Sequence, residues 1–183
     1  LPTAFWYASG RLLMYERLGA AKTATSMALA VEIFITLYAG SMVSILLSLI
    51  QNARTGWQER PWLLAVLVVG AVLLSRPQAI MAWLNRAMVR LGWSSVEMHL
   101  SRYDVFRWSC VLVLNWISGG VMLYFLIRGL YQVQALDIVG VVYMWTVSGV
   151  VAIALTTLFP VSFGPREVTL TVMLSSVVPA PAA

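Results

Sequence analysis

Residues Thr23 to Ile50 read TATSMALAVEIFITLYAGSMVSILLSLI, an apolar run that carries one charged side chain, Glu32. About twenty apolar residues in a helix cross the roughly 30 Å hydrocarbon core of a bilayer, so this run is long enough to span with some tilt. Three more stretches extend the pattern. Pro61 to Ser75 is a shorter second span, Arg107 to Ile127 a third and Leu136 to Phe159 a fourth. Strict polar–apolar alternation is absent throughout, which sets aside an outer-membrane barrel. The expected fold class is all-α: a polytopic helical bundle with about four full spans and two short interrupted or re-entrant segments.

Composition agrees with this. Of 183 residues, 61% are apolar and 10% charged, where a soluble domain carries about a quarter charged residues. Apolar surface on this scale needs lipid as its solvent. The net charge of +5 is no nucleic-acid footprint, because the basic residues fall in short connecting segments, where they set orientation. With alternating spans, Arg11, Arg17, Lys22, Arg76, Arg86, Arg90, Arg102, Arg107 and Arg166 share one side, against Arg54, Arg60 and Arg128 on the other. The positive-inside rule puts the first side in the cytoplasm. Cys110 stands alone in an apolar run and reads as a buried, inert thiol. A single His99 leaves no multi-histidine metal cluster, and no cofactor is expected. No phosphate-cradling Gly-Lys loop and no nucleophile elbow occur, which disfavours an enzyme without excluding one and leaves a membrane-embedded glycosyl- or aminoacyl-transferase fragment as a third reading.

Residues 1–183 form a single transmembrane domain on this reading. Leu1-Pro2 opens in mid-pattern and the end lacks a polar tail, which suggests part of a longer chain. Residues 76–106 form an interfacial amphipathic connection. There, Ile80, Trp83, Leu84, Ala87, Met88 and Leu91 recur at helical spacing against Asn85, Arg86 and Arg90. Ser101 to Asp104 is the turn and cap into the third span. Leu1 to Leu18 and Pro160 to Val178 are too short or too interrupted to cross, which predicts irregular backbone lining protein or a wet cavity.

Glu32 is the most informative position, since a carboxylate inside a span costs several kcal/mol and faces the bundle interior or a cavity. At four-residue spacing around it stand Ala20, Ala24, Ala28, Thr36, Gly40, Ser44 and Ser48, a small-residue stripe suited to close helix packing. Glu32 itself is open between a structural ion pair with an arginine and a functional group. Asn115 is expected to hydrogen-bond to another helix and Gly119-Gly120 to admit one. After Pro160, the sequence Gly164-Pro165-Arg166-Glu167 has the order of a helix start, with Pro at the first position and an acid in the first turn. Such a terminus with a guanidinium beside it suits a phosphate, and an ordinary capped loop is the competing reading. Gly10-Arg11 is a weaker second occurrence.

The chain resembles the flippase-like transmembrane domain family of lysylphosphatidylglycerol synthases and their stand-alone membrane relatives. Phe159-Pro160-Val161-Ser162-Phe163-Gly164-Pro165-Arg166-Glu167 looks like the family's late Pro, Gly-turn, Arg-Glu motif. Leu1-Pro2 through Gly10-Arg11 to Gly19, then Glu32, is similar to its earlier one. Pro165 stands where a small residue is common, and Ile33 where an arginine often follows the acid. The resemblance implies a lipid flippase or transporter-like protein of the bacterial cytoplasmic membrane, handling a phospholipid or polyprenyl-linked lipid. It also implies Arg11, Glu32, Gly164, Arg166 and Glu167 as lipid-binding residues. Arg11 and Arg166 would engage phosphate, while Glu32 and Glu167 would hold those arginines or meet an amine headgroup. Membrane lipids are the expected partners. A competing function is a non-catalytic accessory subunit packed against a larger membrane complex, or a homo-oligomer.

Overall fold

The computed structural model describes residues 3–51, 68–72, 75–90, 92–95, 99–130, 137–158 and 164–175. Its six principal helices are α1 (Thr3–Arg17), α2 (Lys22–Gln51), α3 (Pro77–Arg90), α4 (Arg102–Leu130), α5 (Ile138–Leu158) and α6 (Pro165–Leu174). Three of them, α2, α4 and α5, are long and apolar enough to cross a membrane. These match the expected first, third and fourth spans. Of the expected second span, residues 68–72 and 75 are described and helical, and the remainder of 61–75 lies outside the described residues.

The helix ends follow from local chemistry. α1 closes with Gly19 at φ 83°, a backbone conformation that costs glycine nothing. The Gly19 N–H then reaches the Glu16 carbonyl and the Ala20 N–H the Tyr15 carbonyl, both at 3.0 Å. This crossed pair satisfies two of the carbonyls that every helix end leaves open. The chain reverses into α2, and α1 packs against it. At the start of α4, the Asp104 N–H donates to the Ser101 hydroxyl at 3.1 Å, the cap expected there. Asp137 starts α5 by accepting from the Val139 and Gly140 N–H groups, each at 3.2 Å.

The long helices meet where glycines face large side chains. Trp116 of α4 packs between Gly40 of α2 and Gly149 of α5. Its indole N–H reaches the Thr36 carbonyl at 3.3 Å. Gly119 lies against Trp145 of α5 and Gly120 against Val142, so the two glycines admit α5 as expected. Gln51 lies beside Gly140, while Phe34 and Thr157 line one groove at the other end. α5 therefore runs antiparallel to α2 and α4, and those two run parallel. Ala39, Val43 and Trp116 form the central core. Met27, Val31, Ile35 and Met81 form a second toward the start of α2. Tyr124, Ile127 and Val141 form a third toward the end of α4, joined by Leu174 of α6.

Several expectations change. α1 is one continuous helix through Gly10, so that glycine interrupts nothing. Helix α3 exists as expected, but it buries Pro77 and Met81 with Leu84 and Met88 against α2, and turns Trp83 outward at 66% exposure. Cys110 is exposed on the outer side of α4 rather than buried. Asn115 is also exposed, and its amide makes no hydrogen bond to another helix among the described residues. Its neighbours on that outer face include Leu114 and Met122, exposed at 66% and 76%. Soluble monomers rarely show so continuous an apolar surface to water. Of the small-residue stripe, Gly40 and Ser48 are buried while Ala28 is exposed, so only its later half is a helix contact.

Candidate functional site

The structure gathers the five candidate residues into two groups. The first joins α1 to α2. Glu32 stands ten residues into α2, and Arg11, on the returning helix α1, donates to its carboxylate at 2.5 Å. Both side chains are about two-fifths exposed, at 39% and 41%. One turn further along, the Thr36 hydroxyl donates to the Glu32 carbonyl at 2.7 Å. Glu32 is thus an ion-pair partner of Arg11. A second ion pair, Lys22 with Glu16 at 2.9 Å, ties the same two helices at their turn.

The second group is the start of α6. Gly164 has φ 115°, a conformation that side-chain-bearing residues rarely adopt. That turn sets Pro165 at the first helical position, where its missing N–H costs nothing. Glu167 then swings back, and its carboxylate accepts from the Gly164 N–H at 3.3 Å. The acid also sits in the first turn, where the helix dipole favours negative charge. Glu167 therefore braces the helix start.

Arg166 takes a different partner. Its guanidinium carbon lies 3.9 Å from the centre of the Trp145 ring, within the range where a cation is attracted to an indole face. The Nε is buried and makes no hydrogen bond among the described residues, a state that normally costs a charged donor. Trp145 belongs to the central core with Ala39 and Val43, so the guanidinium reaches the middle of the bundle. Leu174, at the far end of α6, packs near Val141. α6 therefore starts partway along α5 and runs back beside it, presenting its N-terminus at mid-height.

The two groups lie at different heights. Thr157 lines a groove with Phe34 at the Glu32 level, whereas Arg166 meets Trp145, twelve residues back along α5. At 1.5 Å per residue that is on the order of 18 Å. A single lipid phosphate cannot bridge Arg11 and Arg166. Trp145 was the residue that sequence reasoning missed, and one of eight tryptophans in an apolar run carries no signal of its own. Among the described residues, no three His, Cys, Asp or Glu side chains come together to hold a metal. Leu1, Pro2 and residues 159–163, which carry the rest of the two motifs, lie outside the described residues. Comparison of the chain with protein families, with curated proteins and with solved structures finds no match.

Proposed function

We propose that this chain is a multi-pass protein of the bacterial cytoplasmic membrane, with four spans and a re-entrant α6, that handles the headgroup of a phospholipid or polyprenyl-linked lipid. The observation that carries the reading is Arg166. A guanidinium with an unused buried N–H, laid on an indole beside a helix start at mid-height, is a binding site for an anion. Half-helices that begin near the membrane midplane are where transporters hold charged substrates. Glu32 has a supporting role, holding α1 on α2 through its ion pair with Arg11. The test is lipid translocation by the purified chain in reconstituted vesicles. Losing one charge-assisted hydrogen bond to phosphate is expected to slow translocation about tenfold or more in Arg166→Ala. Glu32→Gln is expected to slow it less. Unchanged rates in both variants overturn the proposal.

A second reading, an accessory subunit or homo-oligomer, is favoured by Asn115. An amide exposed at the midpoint of α4, with the Ser118 hydroxyl bonded only to its own helix at 3.1 Å, is costly against lipid and is satisfied by a neighbouring helix. This reading requires a partner chain, or a second copy, that co-purifies at fixed stoichiometry.

A further inference from the structure

At the end of the bundle away from Arg128, a pocket that carries two arginines adjoins an apolar groove. The pocket, about 660 Å³, is lined by Arg76, Gln78, His99, Ser101 and Arg102 at the junction of α3 and α4. The groove, about 620 Å³, lies between α2 and α3 and is lined by Ile33, Phe34, Leu37, Ile80, Trp83 and Leu84. Ala79 lines both, so the two adjoin at that residue.

Among the described residues, no acid pairs with the positive charge on this surface. Arg76 and Arg102 are both exposed, and neither forms an ion pair among the described residues. Asp104, two residues beyond Arg102, does not line the pocket. Gln78 fixes the pocket wall: its amide donates to the Leu100 carbonyl at 3.1 Å and lies 3.4 Å from His99 Nδ1. Trp83 stands outward at the edge of the groove, and indoles settle at the headgroup level of a bilayer.

We propose that this surface binds an anionic phospholipid. Arg76 and Arg102 hold the phosphate and one acyl chain lies along the groove between α2 and α3. Two guanidiniums without an ion-pair partner among the described residues match a phosphate, which accepts from such forks in parallel. The adjoining groove matches only an apolar chain, and basic pockets beside membrane helices select anionic headgroups. The inference rests on the chain lying in a bilayer and not on lipid translocation. A variant that fails to translocate at Arg166 still shows this site.

The experiment is thermal unfolding of the purified chain in detergent, titrated with phosphatidylglycerol, phosphatidylcholine or free glycerol phosphate. Phosphatidylglycerol is expected to raise the unfolding midpoint, and the other two are not. The double variant Arg76→Gln/Arg102→Gln is expected to weaken the apparent affinity for phosphatidylglycerol about tenfold or more. Ala79→Trp, which blocks the junction and keeps the charge, is expected to weaken it as well. Arg86→Gln/Arg90→Gln removes the same charge from α3 outside the pocket and is expected to leave the affinity unchanged. Equal stabilisation by phosphatidylcholine or by glycerol phosphate overturns the proposal. So does an equal loss in the two double variants, which would reduce the effect to unspecific attraction.

Discussion

Close packing in this bundle rests on individual glycines, and they are not equivalent. A Cβ placed on Gly120 would come within 2.7 Å of the Val142 Cα, a backbone atom that no rotamer change can move aside. At Gly129, on the same helix, the same carbon would meet nothing within 4 Å. Gly120→Ala is therefore expected to cost about 1–3 kcal/mol through overpacking of α4 on α5. Gly129→Ala should be neutral or stabilising by up to about 1 kcal/mol, because alanine favours helix. Thermal unfolding of the two variants in one detergent checks this, and a midpoint for Gly120→Ala at or above that of Gly129→Ala refutes the helix contact. The Arg11–Glu32 pair carries less weight in such a measurement. Its two-fifths exposure puts it among ion pairs whose net contribution is small where water or headgroups reach them.

Among the elements, α6 depends most on a single backbone turn. Gly164 at φ 115° sets the direction in which α6 leaves α5, and any other residue there pays about 1–3 kcal/mol for the same conformation. Glu167→Gln keeps the reach to the Gly164 N–H and gives up only the charge at the helix start, worth about 0.3–1 kcal/mol. Gly164→Ala is thus expected to destabilise more than Glu167→Gln, read as the lower unfolding midpoint. The reverse order would mean that the dipole, not the turn, holds α6. The turn residues were legible in the sequence, since Gly, Pro and an acid in that order have few other uses. The long helices were legible for the same kind of reason, an apolar length sufficient to cross a bilayer. The orientation of α3 was not. Lipid and protein both accept apolar side chains, so periodicity cannot separate Trp83, which faces outward, from Met81, which packs on Met27 and Val31. Nor could Arg166 be assigned to Trp145. That contact exists only because α6 folds back along α5, a tertiary fact with no local signature.

For the whole molecule, the parallel course of α2 and α4 decides topology together with charge. Both begin at the end where Arg17, Lys22, Arg76, Arg86, Arg90, Arg102 and Arg107 lie. At the opposite end, Arg128 is the described counterpart, tied at 2.7 Å to the Tyr124 hydroxyl of its own helix. Two parallel helices joined by one connection require that the chain recross between them. Residues 68–72 are helical, and Gly70 packs on the Tyr38 ring halfway along α2, which is where a returning span belongs. On the proposed membrane reading, the charge bias puts the α3 end in the cytoplasm. In a Cys110→Ser background, Gln51→Cys and Ser94→Cys place one thiol at each end. A membrane-impermeant maleimide applied to intact cells is expected to label the thiol at position 51 and spare the one at 94, with both labelled after lysis. The inverse pattern would reverse the orientation. Labelling of both from outside would mean that α2 does not cross, and with it would fall the proposed mid-membrane position of Arg166 and the proposed lipid handling that rests on it.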